Sequence, residues 1–268
     1  MRFSHLSLVA CLAIGLIACG DDADIDRADS PDVAAVDATM QGVRDALAAG
    51  DVEGFLELWT DDGLQQLFHE TSASFQTGYY IGAKQYNLGE SSDTTVSGDT
   101  ATTVAPLYFR LVGVVRRFSL IRQDGVWKVD GGTLATADAG DATVIDVDFG
   151  DSAILFDASA IVDGNIALRV HNTTATRHEL NILTALPDRD ITAFFEHPED
   201  EPPLPEGRSM PEGTDFIGGV SSIDPGVTVT ILFSETLPAA RYVFFCNAED
   251  ESGQPHSKKG EFAEFTIA

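Results

Sequence analysis

Four side chains in the C-terminal half of the chain are of the types that bind transition metals: His178, Cys246, His256 and Glu261. Thiolate and imidazole donors suit copper and zinc, whereas a carboxylate is a harder ligand. Because these residues lie far apart in sequence, a shared site requires strands that bring them to one place.

Strand parity indicates where three of these side chains point, because residues two apart in a strand share one face. In the segment TRHELNIL, His178 shares its face with Leu180 and Ile182 and should point toward the core. Glu261 shares its face with apolar residues of the last strand. Cys246 ends the strand RYVFFC, which is apolar on both faces, so parity leaves its direction open.

An inward histidine, a strand-end thiol and an inward carboxylate need a common partner, since an unpaired buried charge costs several kcal/mol. A metal ion would supply that partner. His256 lies in the loop between Cys246 and Glu261, and nine residues separate it from the cysteine. We therefore predict that the four side chains converge at one pole of a β-structure.

Other chemistry has weaker support in the sequence, which contains no GxSxG, HExxH, CxxC or phosphate-binding glycine loop. His171 falls beyond the inward set of its strand and should be solvated. His197 lies in an acidic stretch beside two phenylalanines, where it is either a loop residue or a ligand of a second metal site. A cysteine-protease pairing of Cys246 with a histidine has little support.

The chain after residue 142 has the pattern of a β-sandwich, with short apolar segments separated by Gly, Pro, Asp and Asn clusters. We expect the segment 184–222, rich in proline and acidic residues, to wrap the outside of this sandwich. Strands are predicted over residues 143–149, 153–156, 166–170, 178–183, 227–233, 241–246 and 262–267.

The preceding part of the chain carries helix signals and then strand signals. Apolar residues three and four apart predict an amphipathic helix with Asp32 as N-cap and Gly50 beyond its end: Val33, Val36, Met40, Val43 and Leu47. Asp51 is predicted to cap a second helix. Strands are predicted over 102–115, 117–122 and 126–129, which together make an α+β cone.

The stretches ALAAGDVEGFLELWTDDGL and FSLIRQDGVWKVDGG resemble the helical opening and last hairpin of the NTF2-like (SnoaL-like) family. The resemblance covers residues 32–138 and implies helices packed on a curved antiparallel sheet. This family contains both enzymes and inert modules, so it does not decide function. Asp61 and His69 could line a pocket in the cone, although surface positions suit them better. Residues 134–142 (LATADAGDA) form the predicted boundary.

The segment YVFFCNAEDESGQPHSKKGE resembles the ligand loop of cupredoxins (plastocyanin- and azurin-like proteins), and ATRHEL and DPGVTVTILF resemble their upstream strands. The resemblance covers residues 143–268 and implies a Greek-key sandwich with one copper. It implies His178, Cys246 and His256 as trigonal ligands, with Glu261 where methionine is usual. A carboxylate favours Cu(II) and should lower the potential, unless it is hydrogen-bonded instead. Zinc is the alternative metal.

The N-terminus reads as an export signal, with Arg2 followed by a short apolar run. The tetrapeptide LIAC resembles the lipobox of bacterial lipoproteins, which implies a signal peptide over 1–18, a lipid on Cys19 and an acidic tether over 19–31. Since Cys11 would leave with the signal, Cys246 would be the one free thiol. We therefore expect a protein anchored outside the cytoplasm, in the periplasm or at the cell surface.

The formal net charge of −27 makes nucleic acid an improbable partner and favours basic proteins. The sequence predicts a lipid-anchored copper protein for electron transfer or copper handling, with a basic redox partner. The alternatives are a metal-free surface lipoprotein acting as a binding or assembly module, and an enzyme in the cone. A Cys246 sulfur within about 4 Å of both His178 and His256 nitrogens would favour copper, given metal bonds of about 2.0–2.3 Å.

Overall fold

The computed structural model describes residues 30–150, 152–197 and 212–268. The predicted signal peptide, Cys19 and the tether up to residue 29 lie outside these residues. No helix in the described part of the chain is long and apolar enough to span a membrane. The first half contains α1 (Pro31–Ala49), α2 (Val52–Glu57), α3 (Asp61–Phe68), α4 (Gly78–Gly82), β1 (Tyr86–Leu88), β2 (Ser92–Ser97), β3 (Thr100–Phe109), β4 (Val112–Gln123) and β5 (Val126–Leu134).

The second half is mostly β-structure, as predicted. It contains β6 (Thr143–Phe149), β7 (Ile154–Phe156), β8 (Ile166–His171), β9 (His178–Ala185), α5 (Ile191–Glu196), β10 (Thr214–Ile223), β11 (Thr228–Phe233), β12 (Ala240–Phe245) and β13 (Phe262–Ile267).

Helix α1 buries the apolar residues that its spacing predicted. The predicted N-cap is wrong, because α1 begins at Pro31 with Ser30 before it, and Asp32 lies inside the first turn. Proline suits the first helical position, where its missing N–H is not needed. Gly50 ends α1 in the left-handed conformation, and Asp51 accepts a backbone hydrogen bond at the start of α2, both as predicted.

The sequence predicted one strand over 102–115 and the next over 117–122. That division is wrong, because the turn between β3 and β4 lies at Arg110 and Leu111. Arg110 adopts a φ of 56° at this turn, although neither turn residue is glycine, proline or asparagine. The sequence therefore contains no turn signal at this point. By contrast, the predicted turn at Asp124 and Gly125 is confirmed between β4 and β5.

One nine-stranded sheet runs through both halves in the order β1-β3-β4-β11-β8-β6-β7, with β2 beside β3 and β5 beside β4. The first residues of β4 pair with β11, while the rest of β4 pairs with β5. The turn after β3 also contacts β10, because the Leu111 N–H donates to the Ile217 carbonyl at 3.1 Å. The two halves are thus joined by backbone hydrogen bonds.

The second sheet has the antiparallel order β10-β9-β12-β13 and packs on β6, β7, β8 and β11. Its inner face belongs to the main core, and its outer face is covered by α5, with Phe195 stacked on Phe262. Strand β10 overlaps the end of the segment 184–222 that was predicted as an external excursion, so that prediction is wrong for residues 214–222. Gly218 and Gly219 interrupt the apolar alternation by which β10 could have been recognised.

Candidate metal centre

Three of the four predicted residues lie at the same end of the second sheet. His178 is the first residue of β9, Cys246 directly follows β12, and Glu261 directly precedes β13. Strand β12 is antiparallel to both neighbours, so its end adjoins the beginnings of β9 and β13. The Cys246 N–H donates to the Glu261 carbonyl at 3.1 Å, which continues the β12–β13 pairing to these residues.

The loop after β12 folds back and adds His256 to this end of the sandwich. The His256 N–H donates to the Ala248 carbonyl at 2.9 Å, and the Ser257 N–H donates to the Cys246 carbonyl at 2.8 Å. A 3-10 turn begins at His256 and ends before Gly260. Backbone hydrogen bonds therefore fix the place of this histidine relative to Cys246.

The donor atoms of the four side chains lie within 4.8 Å of one another. The Cys246 sulfur is 3.7 Å from Nδ1 of His178 and 3.5 Å from Nδ1 of His256. Sulfur and nitrogen bound to one metal at about 2.3 and 2.0 Å would stand about 3.5–3.7 Å apart at tetrahedral to trigonal angles. Both sulfur–nitrogen distances are below the limit of about 4 Å that the sequence analysis set for a copper site.

Glu261 is buried with both carboxylate oxygens turned to the histidines. Its Oε1 is 2.6 Å from Nδ1 of His178, and its Oε2 is 3.1 Å from Nδ1 of His256. Neither contact has the alignment of a hydrogen bond, and Oε1 has no hydrogen-bond donor among the described residues. A buried carboxylate without such a donor is costly unless a cation, either a metal ion or a protonated imidazole, lies beside it.

The outer nitrogen of His178 is held by two threonine hydroxyls. Nε2 lies 2.8 Å from Oγ1 of Thr174 and 3.1 Å from Oγ1 of Thr176. The Thr174 hydroxyl donates to Oδ1 of Asn172 at 2.8 Å, so its oxygen accepts from Nε2–H. In the neutral ring, Nδ1 then carries the lone pair that a metal would bind, and the ring is held in plane by stacking on Phe149, with 4.5 Å between the ring centroids.

Cys246 is fully buried. Burial raises the pKa of its thiol to about 12, although the Glu179 N–H, 3.3 Å from the sulfur, acts in the opposite direction. The nearby Glu261 carboxylate also raises the pKa. A cationic metal is the kind of partner that holds such a sulfur as a thiolate.

The other sequence-predicted residues lie apart from this cluster. His171 ends β8 with a side chain 44% exposed and 3.7 Å from Asp148. His197 caps the end of α5, and no metal-ligand cluster among the described residues includes it. Asp61 is exposed and accepts from the Ser72 N–H, while His69 lines a cavity between the two halves.

Sequence reasoning missed the residues that orient the four donors. Thr174, Thr176 and Asn172 act through hydrogen bonds inside the turn before β9, and Phe149 acts from β6. The motif NTTATRH carries a usable signal, because Asn and Thr commonly bond neighbouring backbone in turns that precede a strand. The stacking of Phe149 has no local signal, since it depends on sheet packing.

No family model matches the chain, and no curated protein is significantly similar to it. Among solved structures, dithionite-reduced auracyanin from Roseiflexus castenholzii is 24% identical over 48% of this chain and 99% of its own, with a TM-score of 0.30. An NTF2-like protein with a cystatin-like fold from Novosphingobium aromaticivorans is 21% identical over 40% of this chain and 83% of its own (TM-score 0.29). A Nostoc punctiforme protein with a cystatin-like fold is 18% identical over 38% and 87% (TM-score 0.31). Each of these similarities covers less than half of this chain at a low TM-score, so none of them supports a function.

Proposed function

We propose that this protein binds one copper ion through His178, Cys246 and His256, with Glu261 as a fourth ligand, and transfers single electrons outside the cytoplasm. The main support for this proposal is the buried carboxylate of Glu261, which is 2% exposed and whose Oε1 has no hydrogen-bond donor among the described residues. Two imidazole nitrogens, a thiolate and a carboxylate are a donor set suited to copper, and zinc is the competing metal.

Bound there, copper would supply a Cu(II)/Cu(I) couple. The residues of the chain hold the donors in place: Thr174 and Phe149 orient the His178 ring, and the Glu179 N–H bonds the Cys246 sulfur. These contacts do not depend on the oxidation state, so little rearrangement is needed when one electron is gained or lost.

The edge of the site nearest to solvent is His256, whose side chain is 13% exposed, whereas those of His178 and Glu261 are 3% and 2% exposed. We propose that electrons pass through this ring to a partner protein. The formal charge of −27 would attract a basic partner, with an association rate that falls as salt is added. Copper handling is the second role that the same site could serve.

The remaining assignments complete this proposal. We infer a signal peptide over residues 1–18 and a lipid on Cys19, which would hold the protein at the cell membrane or outer membrane. Residues 32–138 are proposed as an NTF2-like unit and residues 143–268 as a cupredoxin-like sandwich. The support is the order of the elements, with helices followed by strands in the first half and mainly strands in the second.

The test is an optical and EPR titration of the purified protein with Cu(II). We expect an intense visible thiolate-to-copper band that saturates at one copper per chain. Cys246→Ser should abolish the band, and Glu261→Met should shift it and raise the potential. His178→Gln should weaken binding, whereas the matched His171→Gln, on the half-exposed histidine that ends β8, should not.

Three outcomes would overturn the assignment. A band that survives Cys246→Ser would remove the cysteine from the ligand set. A silent spectrum together with tight one-to-one zinc binding would make this a zinc site, and binding of neither metal would favour a metal-free binding module.

A further inference from the structure

A crevice runs between the first half of the chain and the second sheet. It contains two neighbouring cavities of about 220 and 350 Å³. Arg116 of β4, Leu67 of α3 and Ser221 of β10 line both of them. The crevice is thus built jointly by the two halves of the protein.

Arg116 has no hydrogen bond or ion pair with any of the described residues. This is unexpected for a partly buried arginine in a chain with 43 acidic and 16 basic residues; Arg117 also has no such partner among the described residues, but it is exposed. Arg122 contacts Asp32, and Arg169 forms a two-point pair with Asp146. Burial lowers the pKa of Arg116 to about 10, so the side chain is still a cation at neutral pH.

A second donor stands beside this guanidinium. Tyr86 of β1 lines the smaller cavity, and its hydroxyl has no hydrogen-bond partner among the described residues. Burial raises the pKa of Tyr86 to about 12, so the hydroxyl keeps its proton and can donate it. Arg116 and Tyr86 therefore offer donors, and no acceptor in the described part of the chain is bonded to either.

Part of the wall around these two donors is apolar, although Asn181 and Ser221 line the same cavity. Phe68, Leu107, Phe109 and Phe216 line the smaller cavity, and Phe68 and Phe109 each lie against the Tyr86 ring at 6.0 and 4.9 Å. At about 30 Å³ for each water molecule of the liquid, 220 Å³ corresponds to about seven waters. A ligand of the size of a single substituted ring would fit this space.

We propose that the crevice binds a small organic monocarboxylate, with its carboxylate on Arg116 and Tyr86 and its apolar body against the phenylalanine walls. A carboxylate matches the planar fork of a guanidinium and accepts a third hydrogen bond from the hydroxyl. It also neutralises a charge that is costly to leave unpaired in a half-buried place. This site is separate from the proposed metal centre and does not depend on it.

The probe is benzoate, and its neutral isostere benzamide is the control ligand. In a calorimetric titration of the purified protein, we expect one benzoate per chain and at least tenfold weaker binding of benzamide. Arg116→Gln should weaken benzoate binding at least tenfold. Arg117→Gln is the matched control, because Arg117 is the next residue of β4 and is exposed, so it should leave binding within twofold.

Thermal unfolding separates a binding role from a structural one. If Arg116 serves a ligand, Arg116→Gln should leave the Tm of the ligand-free protein unchanged or higher, because it removes an unpaired half-buried charge. Equal binding of benzoate and benzamide, absence of benzoate binding at millimolar concentration, or equal effects of the two arginine substitutions would overturn the proposal. A Tm lowered by Arg116→Gln with benzoate affinity retained would overturn it as well.

Discussion

Replacing the buried carboxylate by its neutral isostere should raise the reduction potential of the copper-loaded protein. Glu261→Gln keeps the shape of the side chain and removes one negative charge. A Glu261 oxygen lies within 4.8 Å of each of the other three donor atoms, so an ion among them is about 4 Å or less from the charge. At that distance two unit charges interact by about 4 kcal/mol with an effective dielectric constant of about 20.

The negative charge favours Cu(II), because the oxidised ion carries one more positive charge than Cu(I). For a one-electron couple, about 1.4 kcal/mol corresponds to about 59 mV, so 4 kcal/mol corresponds to about 170 mV. Solvent near the exposed edge of His256 reduces this value, and we expect a rise of about 100–200 mV. An optical redox titration of the charge-transfer band measures it directly.

Glu264→Gln, in the strand β13 that begins directly after Glu261, is the matched control. Its carboxylate is paired with Arg241 and is 33% exposed, so solvent screens its charge and the potential should change several-fold less. Equal shifts in the two variants would refute the placement of the Glu261 charge at the metal. A shift to lower potential would refute the electrostatic reasoning itself.

Three further predictions concern the support of the site, the joint between the halves and the ligand loop. Thr174→Val should weaken metal binding about 10–100-fold in a chelator competition, while Thr95→Val, which loses a surface hydroxyl contact, should not. Gly218→Ala should lower the free energy of unfolding by at least about 1–3 kcal/mol in urea, because φ is 131° and a Cβ would lie 2.5 Å from a carbonyl oxygen of β3. Gly98→Ala, at a φ of 61° with open space around the added Cβ, should lower the free energy of unfolding by only about 1 kcal/mol. Equal losses in the two variants would show that the Cβ at Gly218 meets no clash. A lysine ammonium, a serine hydroxyl and a backbone N–H lower the pKa of Asp250 below its ordinary value of 3.8. The Asp250 carboxylate therefore stabilises the loop fully above pH 3.8, and this stabilisation is lost as the pH falls through the lowered pKa. Hydrogen exchange of the loop should show this acid dependence, and Asp250→Asn should remove it.

The sequence predicted the direction of His178 and Glu261 because strand periodicity is a local property. Both side chains are buried, as is Leu180 on the same face as His178. The direction of Cys246 could not be predicted, since both faces of β12 are apolar. In the structure, α5 covers the outer face of β12, and Cys246 lies on the inner face with Phe244.

Features that depend on non-local pairing were beyond sequence reasoning. The union of β4 with β11 joins residues more than one hundred positions apart, and no periodicity signals such a pairing. Strand β10 was hidden by Gly218 and Gly219. The donors Arg116 and Tyr86 meet in one crevice only because β1 and β4 both pair with β3, which a pattern along the chain does not show.

The way in which the donors are held favours electron transfer over copper handling. Cys246, His256 and Glu261 are linked by backbone hydrogen bonds within one short stretch, since the Cys246 N–H binds the Glu261 carbonyl and the Glu261 N–H binds the His256 carbonyl. His178 comes from a different part of the chain, but its ring is fixed by Phe149 and two threonine hydroxyls. A site that delivers copper must open at one ligand, and here each ligand is held by the protein itself. The one place where opening costs little is the partly exposed His256, so a copper-delivery role would require that the 3-10 turn unwind.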